Sequence, residues 1–244
     1  FYEMTLPIDS RDVAGTGYCK ASALLGPIQE AAPQAAEHGG FGRDMTTDGY
    51  PAFWRLTRVW YQLRRPLRWE EPLTIRTWHR GARGATMYRD YDLFVDGEAV
   101  GECVSAWVLA SMDTRQIIRL ATVHELDGTG GGELCKSKKL SKLRLPQNLE
   151  LAGRRKLRYS DTDLNGHVNN TRYADFACDA LEMERLGPDR FLSSMQIGYL
   201  AECRPGEELL LWTKEQDGTH FVQGMDEGGK SRFEAALIFG EVLP

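Results

Sequence analysis

The sequence predicts an α+β protein made of two similar units, in each of which one long helix packs on an antiparallel sheet. Two observations support this prediction. Both halves of the 244-residue chain read as strand, helix and then four strands. The four strands follow one another directly, which favours antiparallel pairing with the helix laid on one face of the sheet.

In the first half, apolar residues recur at helical spacing over residues 24–36, and the pattern stops near Gly39 and Gly40. Pro33 weakens the prediction for the last turn of this helix. The pair Asp96-Gly97 predicts a tight hairpin turn. Alternating or apolar runs predict four strands, at residues 53–63, 73–78, 86–95 and 100–110.

The second half repeats this order. A short strand is predicted at residues 156–160, and a helix at residues 171–186 that Gly187 and Pro188 end. Four strand-like runs follow, at residues 191–200, 208–215, 220–225 and 232–239.

The region between the halves shows little periodicity and includes the glycine-rich run 128–132. We interpret it as a connection between two domains. The predicted division is an N-terminal domain, a linker and a C-terminal domain, at residues 1–118, 119–152 and 153–244.

The composition argues against several classes of protein. No apolar run approaches the roughly 18 residues that span a bilayer. The first residues lack the basic region and the apolar core of a signal peptide. The five cysteines are scattered and form no Cys-x-x-Cys pair, which argues against a disulfide scaffold and a zinc site. We therefore expect no membrane association and a cytoplasmic setting.

Charge is distributed unevenly along the chain. Residues 136–158 hold nine basic residues and one acidic residue, Glu150, so this segment is +8 while the whole chain is −5. The segment is either a solvated linker or a docking surface for an acidic partner, because clustered charge speeds encounter. Nucleic acid is disfavoured as the partner, since Tyr159 is the one aromatic residue at hand for stacking on bases.

The densest group of polar residues lies at 159–170, directly before the predicted second helix. Asp163, Asn165 and His167 alternate there, so they can share one side of an extended loop. His167 can transfer a proton near neutral pH, and Asn165 can donate to an oxyanion or orient a water. Asp163 can hold the loop by accepting backbone N–H groups. N–H groups at the start of the helix could polarise a carbonyl. The alternative is that Asp163 and Asn165 only cap a turn and a helix.

The spacing Asp161-x-Asp163-x-Asn165-Gly166 also matches the start of an EF-hand calcium loop. The twelfth position of such a loop should be a bidentate glutamate, but here it is Arg172. A cation at a ligand position argues against calcium binding.

A second candidate site lies at residues 199–206, where an apolar strand ends before the turn Pro205-Gly206. Glu202 could act as a general base for water, and Cys203 could act as a nucleophile if its pKa falls. The alternative interpretation is a solvated Glu202 at a strand end and a Cys203 that fills the core.

A weak repeat links the two halves. Asp12-Val13-Ala14-Gly15 aligns with Asp163-Leu164-Asn165-Gly166 at an offset of 151 residues. This alignment puts Ala14 opposite Asn165 and Thr16 opposite His167. Pro66 and Leu67 fall opposite Glu202 and Cys203 at an offset of 136 residues. The first half thus has inert residues where the second has reactive ones, which predicts one active and one inactive site.

Two motifs together resemble a known family. Asp163-x-Asn165-Gly166-His167-Val168-Asn169-Asn170, with Tyr173, and Tyr199-x-x-Glu202-Cys203 are similar to the signatures of acyl-acyl carrier protein (acyl-ACP) thioesterases, in particular the bacterial ones. Loose first-half matches extend the resemblance over nearly the whole chain, at Gln29-Glu30-Ala31-Ala32, Trp54-Arg55-Leu56, Thr77-Trp78 and Arg89-Asp90.

The resemblance implies a tandem (double) hotdog fold, with an N-terminal domain that binds the acyl chain. It also implies hydrolysis of acyl-ACP in fatty acid biosynthesis, without a cofactor or metal. Family active-site positions fall on Asp163, Asn165, His167, Glu202 and Cys203. The chain would act as a monomer of two hotdogs or as a homodimer.

Acyl carrier protein is acidic, which gives the basic segment a partner. The docking residues would be Lys136, Lys138, Lys139, Lys142 and Arg144. Two chemical routes stay open: water activated by Glu202 and His167, or Cys203 as nucleophile with His167 as its base. Two other functions also stay open, an acyl-CoA thioesterase and a non-catalytic acyl-binding module.

Overall fold

The computed structural model describes residues 1–40, 51–120 and 138–243. They form two compact units that interleave along the chain. The first unit comprises Phe1–Pro7, Gly26–Tyr61 and Glu71–Leu140, and the second Ile8–Leu25, Gln62–Glu70 and Ser141–Pro244, as far as these are described. The domain boundaries at 118 and 153 stay a prediction. None of the helices in the described part is long and apolar enough to cross a membrane.

The sheet of the first unit has the strand order β1-β3-β4-β5-β2, with a two-residue strand, β6, added to β5. The pairs β1–β3, β3–β4 and β4–β5 are antiparallel. The predicted hairpin turn is present, since Asp96 and Gly97 both have positive φ between β4 and β5. The strands are β1 (Tyr2–Pro7), β2 (Ala52–Leu63), β3 (Pro72–Arg83), β4 (Thr86–Val95), β5 (Glu98–Ser111) and β6 (Ile117–Ile118).

Helix α1 (Ala21–His38) extends past Pro33 to the end that the glycine signal predicts. Its buried residues, Leu24, Ile28 and Ala31, recur at helical spacing and form the apolar face. The last turn gains a contact with β1, because the Tyr2 hydroxyl donates to Gln34 Oε1 at 2.6 Å.

The second unit has the equivalent strand order, β7-β9-β10-β11-β8. Each strand of the second unit therefore has a counterpart in the first unit. The repeat found in the sequence is thus also present in the strand order. The elements are β7 (Glu150–Lys156), α2 (Arg172–Ala180), β8 (Arg190–Tyr199), β9 (Glu208–Gln216), β10 (Thr219–Asp226) and β11 (Ser231–Glu241).

Helix α2 packs on β7, β9, β10 and β11. Tyr173 is its anchor and is buried with Phe176 and Phe233. The Tyr173 ring lies 5.8 Å from Phe176, 5.8 Å from Tyr199 and 5.2 Å from Phe233, between ring centroids. This aromatic cluster fixes the first turn of α2, and thus the end of the polar loop that precedes it.

Two predictions of local structure were wrong. The second helix stops at Ala180, because the chain turns at Glu182, a left-handed residue (φ 51°), into the short 3₁₀ turn Met183–Arg185. The strand predicted at 156–160 lies earlier, as β7, and Tyr159–Asp161 is a 3₁₀ turn. Strand β1 supplies the strand that the predicted order places before the first helix, although its bounds were not predicted. Strand β7 ends the sheet order of its unit and is polar and exposed, so no buried periodicity marks it.

Candidate active site

The polar loop begins with the 3₁₀ turn Tyr159–Asp161, and Asp161 ties its ends together. Asp161 Oδ2 accepts the Arg158 N–H at 2.9 Å. Its backbone oxygen accepts the Asn169 N–H at 2.8 Å. A single bridge between Thr162 and Val168 closes the loop between these points.

At the tip, Asp163 has the role predicted for it, since it accepts backbone N–H groups. Asp163 Oδ1 accepts the Asn165 N–H at 2.9 Å. The Asp163 backbone oxygen accepts from Gly166, and the Asp163 N–H donates to the His167 oxygen, both at 3.0 Å. Gly166 has φ 72°, a conformation that favours glycine. Asn165 is exposed at the tip.

The strand end at Glu202 and Cys203 meets this loop. The Val168 N–H donates to the Cys203 backbone oxygen at 2.9 Å. His167 Nε2 then lies 3.5 Å from Glu202 Oε2, with side chains 22% and 50% exposed. The Glu202 backbone oxygen accepts from Arg232 Nη1 at 2.5 Å. The structure thus brings His167, Glu202 and Cys203 together, with Asp163 and Asn165 on the same loop.

Cys203 differs from the other groups because it is fully buried. Burial raises the pKa of its thiol, although a hydrogen bond with Tyr173 and the charge of Arg232 act in the opposite direction. A buried thiol with a raised pKa is mostly protonated at neutral pH, so it is a poor nucleophile.

The start of α2 is capped by Asn169. Asn169 Oδ1 accepts the Thr171 N–H at 2.9 Å, and the Asn169 backbone oxygen accepts the Arg172 N–H at 2.9 Å. The sequence had suggested that N–H groups at the start of α2 polarise a carbonyl. These two N–H groups are already hydrogen-bonded to Asn169, so they do not take that role. Asn165, which carries a side-chain amide donor, is exposed at the tip of the loop.

The repeat aligns two residues away from the register that the sequence suggested. Asp12 is the partner of Asp161, because its Oδ2 accepts the Asp9 N–H at 2.9 Å and its backbone oxygen accepts the Lys20 N–H at 2.8 Å. The loop offset is therefore 149 residues, the distance from Asp12 to Asp161. Tyr18, rather than Thr16, lies opposite His167.

Other parts of the repeat hold as predicted. The Cys19 N–H donates to the Leu67 oxygen at 2.8 Å, as the Val168 N–H does to Cys203. Leu67 is thus opposite Cys203, and Pro66 is opposite Glu202. The first loop therefore has neither a histidine nor a glutamate at the positions of His167 and Glu202.

The sequence missed two functional candidates, Arg155 and Arg172. Arg155 Nη2 lies 3.0 Å and Arg172 Nη2 lies 3.4 Å from Asp161 Oδ1. Arg172 could have been identified from the sequence, because it does not fit the ligand position of a calcium loop. A cation at that position neutralises Asp161 instead of leaving it for calcium.

Most of the proposed docking residues are accessible. Lys139, Lys142 and Arg144 are exposed, whereas Lys138 Nζ lies over the Trp60 ring, 4.3 Å from its centroid. The segment after Leu140 is held on the second unit, where Gln196 Nε2 donates to the Ser141 oxygen at 2.7 Å. Lys136 and the glycine run 128–132 lie outside the described residues.

Of the described cysteines, Cys103, Cys178 and Cys203 are free thiols. Among residues 1–40, 51–120 and 138–243, no group of three or more His, Cys, Asp or Glu side chains could hold a metal ion.

Solved structures match this fold over nearly its full length. An acyl-ACP thioesterase from Bacteroides thetaiotaomicron has a TM-score of 0.84 and 22% identity, covering 98% of this chain and 97% of that one. The 12:0-ACP thioesterase from Umbellularia californica has a TM-score of 0.82 and 23% identity, with the same coverage. These likenesses confirm the predicted α+β, double hotdog architecture.

Relatives in sequence are plant enzymes. Oleoyl-acyl carrier protein thioesterase 1 of Arabidopsis thaliana, a chloroplastic protein, is 24% identical over 90% of this chain and 66% of its own length. Dodecanoyl-[acyl-carrier-protein] hydrolase of Cinnamomum camphora is 24% identical over 83% of this chain and 56% of its own length. The chain thus spans about half to two thirds of the curated relatives it matches.

Two family models cover most of the chain. The acyl-ACP thioesterase N-terminal domain matches residues 1–124, and the acyl-ACP thioesterase C-terminal domain matches residues 148–240. The second match contains the whole polar loop and the Glu202-Cys203 strand end. The chain therefore belongs to the acyl-ACP thioesterase family.

Proposed function

We propose that this chain hydrolyses the thioester of acyl-ACP and releases a free fatty acid and the carrier protein. The observation that carries the proposal is the facing pair His167 and Glu202, 3.5 Å apart, beside the exposed Asn165 loop. A carboxylate and an imidazole at this separation can share the proton transfers that thioester hydrolysis needs. Family membership supports the same reaction.

In the proposed mechanism, water attacks the thioester carbonyl carbon as Glu202 takes its proton. The C–S bond then breaks, and protonated His167 donates a proton to the departing sulfur. Proton transfer from Glu202 to His167 restores the starting state. The Asn165 amide stabilises the oxyanion or orients the water, and Asp163 fixes the loop that carries both Asn165 and His167.

The burial and raised pKa of Cys203 favour activated water over the covalent route. Cys203→Ala distinguishes the routes. The water route predicts fatty acid release within a few-fold of wild type. A loss of about 10³-fold or more, with an acyl group trapped on Cys203 in the wild type, would instead support a nucleophilic cysteine.

The direct test of the proposed function is fatty acid release from a mixed acyl-ACP pool, with product analysis by chain length. Hydrolysis that is lost in His167→Ala supports the proposal. Failure of the wild type to cleave any acyl-ACP at high enzyme concentration would support a non-catalytic acyl-binding module.

The basic segment favours an acidic carrier over a small substrate, since Lys139, Lys142 and Arg144 are exposed. We therefore expect acyl-ACP to be cleaved faster than acyl-CoA with the same acyl group. A preference for acyl-CoA would reject this choice of carrier. The free thiols Cys103, Cys178 and Cys203 agree with a reducing, cytoplasmic setting. Action as a monomer of two hotdogs or as a homodimer stays a prediction.

A further inference from the structure

We infer that Asp161, clamped by Arg155 and Arg172, is the positioning residue that holds the active loop in its working geometry. The inference rests on the proposed function, since it concerns the loop that carries His167. The Asp161 side chain is fully buried, so a substrate cannot reach it and it acts on the loop through hydrogen bonds.

The clamp is built around the buried Asp161 carboxylate, which faces donors on Arg155, Arg172 and Arg158. The Asp161 side chain is 0% exposed. Its Oδ1 faces Arg155 at 3.0 Å and Arg172 at 3.4 Å, while its Oδ2 accepts the Arg158 N–H at 2.9 Å. Charge-assisted hydrogen bonds of this kind are stronger and more directional than neutral ones.

The arginines connect the loop to the elements around it. Arg172 Nη1 donates to Asp175 Oδ2 on α2 at 2.6 Å. Arg155, on β7, reaches Asp179 Oδ2 at 3.4 Å, and its guanidinium lies over the Phe176 ring, 4.8 Å from the centroid. One carboxylate thus ties together a strand, the loop and a helix.

Asp161 also connects to the reacting groups through the backbone. Its oxygen accepts the N–H of Asn169, which fixes the exit of the loop, and the next inward residue, Val168, donates to Cys203 at 2.9 Å. The position of His167 relative to Glu202 therefore depends on how firmly Asp161 is held.

The inactive loop has the same backbone contacts as the active loop but lacks the clamp. Asp12 makes the same two backbone contacts as Asp161, at 2.9 and 2.8 Å. In the described part of the chain, however, no arginine contacts Asp12. At the loop offset of 149 residues, Leu6 and Ala23 stand where Arg155 and Arg172 would be.

This difference separates folding from function. The backbone contacts alone suffice to build the turn, because the inactive loop has them and the same shape. Burying charges carries a desolvation cost, so a buried ion cluster is weak evidence for added stability. Its presence in the half that carries His167 indicates that it positions the loop.

The ionisation of Asp161 agrees with this role. Burial alone would raise the pKa of the carboxyl, but the Arg158 N–H and the Arg155 guanidinium outweigh it and hold the pKa below its usual value. The Asp161 carboxyl is therefore charged near neutral pH.

The test compares Asp161→Asn with the matched control Asp12→Asn, using kcat and KM for acyl-ACP. We expect Asp161→Asn to lower kcat about 10- to 100-fold with KM within about twofold, because small misplacement of catalytic groups is costly. Asp12→Asn should change neither constant. Wild-type kcat in Asp161→Asn, or an equal loss in Asp12→Asn, would overturn the inference.

If Asp161→Asn does not fold, Arg172→Lys decides the question, since it keeps the charge and loses the planar fork. A kcat lowered several-fold at unchanged KM supports positioning, and an unchanged kcat rejects it. Amide hydrogen exchange gives a readout that does not depend on activity. Residues 162–168 should exchange faster in the clamp variants than in Asp12→Asn, even if the wild type cleaves no acyl-ACP.

Discussion

The two loops at residues 8–20 and 157–169 have one backbone design and two different uses. Both contain a 3₁₀ turn capped by an aspartate, Asp12 or Asp161, and both have a positive-φ glycine near the tip, Gly17 (φ 80°) or Gly166 (φ 72°). Both end on a hydrogen bond to the segment that follows a strand, at Leu67 after β2 or Cys203 after β8. The shared parts are those that shape the backbone.

The differences lie in the side chains. His167 faces Glu202, whereas its counterpart Tyr18 donates its hydroxyl to the Pro188 oxygen at 2.5 Å. The Tyr18 ring also receives the Arg68 guanidinium, 5.1 Å from its centroid. The first loop therefore uses the position to hold neighbouring chain segments.

A cavity of about 600 Å³ persists beside the inactive loop, with Tyr18, Cys19, Asp175 and Cys178 among its lining residues. None of its lining residues in the described part is a histidine. The comparison teaches that the two loops share the turn and differ in the side chains that surround it.

The largest effect on stability is expected when the clamp of the active loop loses its charge. Because its pKa is lowered, Asp161 stabilises the folded state above its unfolded pKa of about 3.9, and this contribution is lost as pH falls through the lower folded pKa. The intact cluster adds little net stability, but Asp161→Asn leaves two guanidinium groups without their carboxylate. It should cost about 3 kcal/mol at pH 7, the low end for a broken buried pair, because Arg155 and Arg172 remain 33% and 34% exposed.

Urea unfolding of wild type and Asp161→Asn at several pH values between about 3 and 7 measures this difference. The gap should narrow as the pH falls below about 4. A gap that does not change with pH would mean that the charge of Asp161 does not stabilise the fold.

Glu202→Gln removes the proposed base and keeps the size of the side chain. We expect kcat for acyl-ACP to fall about 10²-fold with little change in unfolding temperature. Glu227→Gln, at an exposed turn, is the control and should behave as wild type. Full activity in Glu202→Gln would remove the base from the mechanism and leave His167 without its partner.

Reversal of Lys139, Lys142 and Arg144 to Glu tests the docking surface. It should raise KM for acyl-ACP about tenfold at low salt, leave kcat unchanged and lose most of its effect at high salt. Lys138 is left unchanged because it contacts Trp60, so its reversal would change packing as well as charge. Reversal of the exposed Arg11, Arg185 and Lys230 is the matched control. An equal rise in KM in both variants would point to overall charge instead of a local surface.

Tyr18→Phe tests the structural use of the inactive loop. Loss of the hydrogen bond to the Pro188 oxygen should lower the free energy of unfolding by about 1 kcal/mol without changing kcat. Tyr159→Phe is the control, because that ring is 90% exposed. A drop in kcat in Tyr18→Phe would show that the first loop takes part in the reaction.

Most of the fold was predictable because its strands carry strong local signals. Alternating apolar runs and the Asp96-Gly97 turn marked eight strands correctly. The edge strand β7 escaped because its residues are polar and exposed. The end of α2 was not predicted, because the left-handed turn at Glu182 contains no Gly or Pro that would indicate it.

The candidate site was partly predictable for a similar reason. His167 and Glu202 were named from separate motifs, and only the fold could place them 3.5 Å apart. The loop register was wrong by two residues because the Asp-x-x-Gly spacing matched Asp12 to Asp163. The clamp was not predicted, because Arg155, Arg172 and Asp161 lie on three different elements. Their ion pairs leave no periodic pattern in the sequence.

The most direct test of the account exchanges the residues that distinguish the loops. His167→Tyr and Tyr18→His are compared by the rate of fatty acid release from acyl-ACP. We predict that His167→Tyr lowers kcat by about 10²–10⁴-fold, while Tyr18→His keeps wild-type kcat. Substantial activity in His167→Tyr, or a loss confined to Tyr18→His, would contradict the assignment of the chemistry to the second loop.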